Sequence, residues 1–173
     1  MIRTERRPAS RVALLGILCA VAVGLSFLEN LLPVLPIPGA KLGLSNIVVM
    51  TTLSAMNLPA ALAVVFVKAG FALLRGGTAF LMSLAGGMCS TLLMALLFRG
   101  VPRCFSYLGI GVAGAVGHNT GQLLMSLLLV DVSLLYYTPW LLLMALAAGI
   151  LTGTTLNLLM PALEQLPFIS KKI

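Results

Sequence analysis

Long apolar stretches, interrupted by short clusters of charge, proline and glycine, run the length of the chain. Breaking the pattern at those clusters gives six predicted helices and no strand. They are expected at about Val12–Leu28, Leu44–Met56, Leu58–Leu74, Ala79–Phe98, Ser106–Val130 and Leu135–Pro161. A proline-bearing loop from Glu29 through Pro33, Pro36 and Pro38 to Lys41 joins the first two, and Pro59 suits the first turn of the third. Arg75, Gly76 and Gly77 predict a tight turn, and the stretch from Arg99 to Arg103 a polar link. The second helix falls short of the ~20 residues a full bilayer span needs, so it calls for tilt, partial unwinding or shielding by neighbours. No internal repeat is visible.

Composition turns this pattern into a membrane protein. Of 173 residues, 60% are hydrophobic and 9% charged, and the mean hydropathy is +1.12. A soluble domain needs a polar exterior that this chain does not supply, whereas lipid tolerates an apolar one. The expected fold is all-α and integral to the membrane. It is a single six-transmembrane-helix bundle over residues 12–161, between a basic tail at 1–11 and a second tail at 162–173. The basic N-terminus ahead of an apolar run resembles a signal peptide, but the run is long for one and further spans follow, so it reads as a retained first helix.

The charge of +7 reports topology rather than nucleic-acid binding, because the basic residues sit at helix ends and in tails. With the N-terminus inside, Arg3, Arg6, Arg7, Arg11, Arg99, Arg103, Lys171 and Lys172 are cytoplasmic, and Lys41 and Arg75 external. That bias places both termini in the cytoplasm and the protein, multi-pass, in the cell membrane. Cys19, Cys89 and Cys104 have no CxxC spacing and read as apolar packing residues.

Small residues recur three or four apart, which gives a smooth helix face. The first helix has Ala13, Gly16, Ala20 and Gly24, the fifth Gly114, Gly117 and Gly121, and the sixth Ala145, Gly149, Gly153 and Asn157. Each stripe serves either close packing inside the bundle or docking of another membrane protein. The first helix is the strongest docking candidate, since its other faces are almost wholly aliphatic.

Polar side chains at membrane depth are costly without partners or a wet cavity, which makes them candidate binding residues. They are Asn46, Lys68, Arg75, Ser83, Ser90, His118, Asn119 and Gln122, with Gly87 on the face shared by the two serines and Lys41 beside the proline loop. In the expected topology four helices turn these groups toward one half-cavity on the external side, with Gln122 about 6 Å above His118. Lys41, Lys68 and Arg75 make it cationic, so an anionic or electron-rich ligand is the complement. The alternatives remain open at this point: a hydrogen-bonded packing role for His118, snorkelling for Lys68, interface anchoring for Arg75, and close packing for the glycines.

Covalent chemistry lacks its residues. There is no P-loop, HExxH or GxSxG, and the acids are Glu5, Glu29, Asp131 and Glu164 alone. No metal site, cofactor or enzymatic activity is expected, and any uphill transport needs a partner to energise it.

Three runs, Pro36–Asn46, Ser83–Ser90 and His118–Gln122, resemble the bacterial Gx transporter family, also named heptaprenyl diphosphate synthase component I. That family in turn resembles in plan the substrate-binding S components of energy-coupling-factor transporters. The resemblance implies a vitamin-like or isoprenoid or quinone-precursor ligand contacted by Arg75, His118 and Gln122, under a gate at Pro33–Lys41. It also implies docking of a transmembrane coupling protein, joined to ATPase subunits, on Ala13, Gly16, Ala20 and Gly24. The synthase name implies instead a non-catalytic membrane accessory subunit.

Overall fold

The computed structural model describes residues 8–31, 43–100, 105–129, 132–163 and 165. Among them are six α-helices: α1 (Pro8–Leu31), α2 (Leu44–Ala55), α3 (Leu58–Ala72), α4 (Gly77–Gly100), α5 (Tyr107–Leu129) and α6 (Thr138–Leu163). Short 3-10 turns cover Leu73–Arg75 and Val132–Tyr137. No strand occurs among the described residues.

Four segments are long and apolar enough to cross a bilayer: Ala9–Leu31, Leu58–Arg75, Gly77–Gly100 and Leu135–Ala162. The chain is thus a multi-pass membrane protein by length and composition. The other two helices differ for separate reasons. α2 has only 12 residues. α5 has 23, but its middle carries His118, Asn119, Thr120 and Gln122.

Both are covered by protein instead. α2 touches α1, α3, α4, α5 and α6, and it buries Ser45, Asn46, Val48, Val49, Met50, Thr51, Thr52 and Ala55. Shielding by neighbours is therefore what a short helix at this depth relies on. Its aliphatic residues form the core with Val64 and Val65 of α3, Met94 of α4, Ile110 of α5 and Leu156 of α6. The outside of the bundle stays apolar, with Leu74, Leu128 and Leu158 each at least 80% exposed, as a lipid-facing surface requires.

Helix ends follow local chemistry. The α2–α3 link is only Met56 and Asn57. The Asn57 side-chain oxygen accepts from Ala60 N at 2.9 Å, and Pro59 sits in the first turn, where its missing N–H is not needed. Gly76 turns the chain into α4 with φ of 119°, a conformation that favours glycine.

Some boundaries depart from the sequence pattern. α1 begins at Pro8, a residue suited to a first helical turn, inside the stretch expected as a tail. It continues to Leu31, so Glu29 and Asn30 are helical rather than part of the loop. α4 starts at Gly77, not Ala79. The sixth helix opens as a 3-10 turn through Tyr137 and runs past Pro161 to Leu163, because proline in a last turn removes only one backbone bond.

Two of the three small-residue stripes are consumed inside the bundle. A Cβ on Gly121 would lie 2.7 Å from the Ala85 carbonyl oxygen, and one on Gly114 2.7 Å from the Met94 sulfur, so α5 meets α4 nearly backbone to backbone. A Cβ on Gly111 would lie 2.7 Å from the Gly149 carbonyl oxygen and from Gly153 N, which repeats the arrangement between α5 and α6. Asn157, the last member of the α6 stripe, is exposed.

Candidate functional site

The polar groups of five helices meet around one small cavity. It is lined by Ser26 and Glu29 of α1, by Gly43 with Ser45 and Asn46 at the start of α2, and by Lys68 of α3, Ser83 of α4 and His118 of α5. Its free volume is about 10 Å³, room for about one water molecule.

The α2 N-terminus organises the site. Gly43 precedes the helix with φ of 72°, and its carbonyl oxygen accepts from Asn46 N at 2.8 Å. No side chain local to α2 caps it. The cap comes from α1, where the two Glu29 carboxylate oxygens accept from Leu44 N at 2.7 Å and from the Ser45 hydroxyl at 3.2 Å. A carboxylate on exposed backbone N–H groups at the positive end of a helix is a favourable pairing.

The second anchor is cationic. Lys68 is 3% exposed, and its ammonium donates to Asn46 Oδ1 at 2.9 Å. A long side chain that snorkels would reach the surface; this one turns inward. His118 is also buried, and α4 approaches it through Gly86. A Cβ on Gly86 would fall 2.8 Å from the His118 carbonyl oxygen, 2.9 Å from His118 Nδ1 and 2.7 Å from Gln122 Cγ. Glycine at 86 thus lets the imidazole-bearing face of α5 seat against α4.

Four residues singled out from sequence, Asn46, Lys68, Ser83 and His118, share the cavity. The others lie elsewhere. Gln122 is buried against Gly86 but is not part of the lining. Asn119 donates to the Leu141 carbonyl oxygen at 2.8 Å, a bond that ties α5 to α6. Gly87 sits where a Cβ would meet Val65 Cγ1, close to which α3 crosses α4. Ser90 is 1% exposed, with its hydroxyl making no hydrogen bond to any described residue. Arg75 is exposed at the end of α3 and donates to Asn30 Oδ1 at 2.8 Å, outside the cavity. Lys41 and the Pro33–Lys41 gate lie outside the described residues.

Ser26, Glu29 and Gly43 also line the cavity and were not among the sequence candidates, and Ser45 lines it beside Asn46. A signal existed for two of them. An acid at the end of an apolar run, three residues after a serine, places both groups on one helix face. Glu29 also changes the electrostatics, because its carboxylate faces the same space as Lys68, where sequence alone suggested cations. Among the described residues, no three His, Cys, Asp or Glu side chains come together as metal ligands would.

A family model described as heptaprenyl diphosphate synthase component I matches residues 18–159. The chain belongs to that family. The match begins inside α1 and ends inside α6, so every cavity-lining residue of this component I chain falls within it. Comparison with curated proteins and with solved structures returned no match.

One face of the component I bundle is open. Ala13, Gly16, Ala20 and Gly24 are all exposed, and among the described residues no atom lies within 4 Å of a Cβ built on Gly16 or Gly24. Among the described elements, α1 touches only α2 and α3. Val12 and Ile17, on the same helix, are 70% and 61% exposed.

Proposed function

We propose that the chain is the membrane-embedded, non-catalytic component of heptaprenyl diphosphate synthesis, holding a catalytic partner at the bilayer where the polyprenyl product partitions. The observation that carries this reading is the family match over 18–159. The residue inventory supports it. Prenyl elongation uses carboxylates to hold magnesium on a diphosphate. The four acids here are dispersed at positions 5, 29, 131 and 164, and Glu29 is engaged in capping α2. The residues present do not fit that metal, so no catalytic step is assigned to them.

The bundle crosses the cell membrane six times in this reading, with both termini cytoplasmic. The excess of Lys and Arg at the tails and at the Arg99–Arg103 link supports that orientation. The small-residue face of α1 is the docking surface, because the corresponding stripes on α5 and α6 are already filled.

The test is reconstitution. Membranes containing the chain are mixed with the soluble synthase component, and heptaprenyl diphosphate formation is measured with wild type and with Gly16→Leu/Ala20→Leu. Stimulation by wild type and its loss in the variant are expected. Equal product with and without the chain would defeat the proposal.

The polar cavity favours a second reading, a solute-binding subunit built like S components and energised by a coupling protein with ATPase subunits. Mass spectrometry of the purified protein decides between the two: a retained vitamin-like solute supports the carrier, and its absence alongside synthase stimulation supports the accessory subunit.

A further inference from the structure

α1 is the peripheral helix of the bundle. It is the least buried of the four spanning segments, and among the described elements it meets only α2 and α3. α4, α5 and α6 are joined differently. Glycines on α5 and α6 bring their backbones so close that a methyl group would collide with the neighbouring helix. Backbones packed in that way move as one body, because no side chain stands between them to repack. α1 has no such contact at Gly16 or Gly24. Leu15, Leu18, Cys19, Ala22 and Leu25 pack it on the core instead.

The polar cavity lies against the last two turns of this helix. Ser26 and Glu29 form its α1 side, and the other lining residues come from α2 and the glycine ahead of it, α3, α4 and α5. Three contacts hold that side in place. Glu29 accepts from Leu44 N at 2.7 Å and from the Ser45 hydroxyl at 3.2 Å. Asn30 Oδ1 accepts from the Arg75 guanidinium at 2.8 Å, on the exposed surface. The rings of Phe27 and Phe71 meet edge to face, 6.2 Å between centroids. Residues 29 and 30 point about 100° apart around the helix. One tie therefore runs to the start of α2 and the other to the 3-10 turn that follows α3.

We propose that the C-terminal end of α1 is a gate for the polar cavity, latched by Glu29 on the α2 N-terminus and by Arg75 on Asn30, and that it swings outward while α4, α5 and α6 stay in place. Each latch bond is exchanged for water when it breaks, so its net contribution is small and the closed form is readily left. The aliphatic packing of the earlier turns is the hinge. Opening carries Ser26 and Glu29 away and uncovers Ser83 on α4, which is 6% exposed in the closed form. Arg75 thereby governs access to a cavity that it does not line. The gate rests on neither functional reading, since it concerns the way in and not the occupant.

Thiol accessibility tests it on the full chain. Cys19, Cys89 and Cys104 are replaced by alanine, Ser83→Cys is introduced, and its reaction with a water-soluble, sulfonate-bearing methanethiosulfonate is timed in detergent by mass spectrometry. Ser90→Cys is the control. It lies on the same helix at the α4–α5 contact, 1% exposed, where a Cβ on Gly114 would be 3.4 Å from the Ser90 hydroxyl. Arg75→Ala and Glu29→Ala are each expected to speed labelling of Ser83→Cys about fivefold, with Ser90→Cys unchanged. Arg75 is exposed, so its variant keeps the fold whether or not Glu29→Ala does. Labelling of Ser83→Cys that Arg75→Ala leaves unchanged would overturn the gate. So would an equal rise at Ser90→Cys, which would mean that the whole bundle loosens.

Discussion

Lys68 donates to Asn46 across 2.9 Å, between residues 22 apart in the chain, and so fixes α3 to the central helix α2 at the floor of the polar cavity. The bond is buried and one partner is charged, a class whose disruption costs more than that of a neutral pair. Asn46→Leu leaves the ammonium without that oxygen and is expected to cost about 2–3 kcal/mol. Asn46→Leu/Lys68→Met removes both ends and is expected to recover most of the loss. Thermal unfolding of the three proteins in one detergent measures the cycle; a double variant as unstable as the sum of the singles would show that the two side chains act independently.

Glu29 stabilises α2 from a different helix. Glu29→Ala exposes the Leu44 N–H and the Ser45 hydroxyl and is expected to lower stability by about 1 kcal/mol, the ordinary value of an N-terminal cap. The loss should concentrate at the α2 start, so hydrogen exchange at Leu44 and Ser45 should rise while exchange in the α5–α6 interface stays constant. Uniform loosening of every helix would argue against a local cap.

Asn119 is a structural residue by geometry, since its amide serves the Leu141 carbonyl oxygen on α6. Asn119→Leu is expected to cost about 0.6–1.7 kcal/mol, the range of interhelical polar contacts in membranes. Unchanged stability in this variant would reverse the assignment.

Much of the architecture was legible because lipid imposes a simple rule: apolar runs must be helices, and charge and proline interrupt them. The boundaries of α2 and α3 came within one or two residues of the pattern, since Asn57-Leu-Pro59 is a local helix-start signal. The sequence pattern singled out Asn46, Lys68, Ser83 and His118 as polar groups within apolar helices, and helix packing brings these four to one cavity. Glu29 was not legible, because an acid near prolines looks like a loop residue, and only the folded chain shows α1 running on to Leu31 and lending its carboxylate to α2. Arg75 shared a depth with the cavity group but not its azimuth, and the short 3-10 turn at Leu73–Arg75 turns it outward to Asn30. Azimuth depends on how helices pack, which a linear pattern does not encode. The aliphatic faces of α1 set its stripe apart in the sequence, and the contacts separate it from the filled stripes on α5 and α6.

That separation gives a paired prediction. A methyl group at Gly16 or Gly24 meets no atom of the described residues within 4 Å, so Gly16→Ala or Gly24→Ala is expected to stabilise α1 by up to about 1 kcal/mol through helix propensity. The same methyl at Gly121 would lie 2.7 Å from the Ala85 carbonyl oxygen, and at Gly111 2.7 Å from the Gly149 carbonyl oxygen. Backbone cannot rotate aside as a side chain does, so α5 must move off α4 or α6. Gly121→Ala and Gly111→Ala are each expected to cost about 1–3 kcal/mol. Thermal unfolding of the four single variants in detergent compares them directly. A gain at α1 with losses at α5 assigns one stripe to the outside of the bundle and the other to its interior; equal destabilisation at Gly16 and Gly121 would mean that α1 is packed on that face as tightly as α5, and the docking surface would be lost.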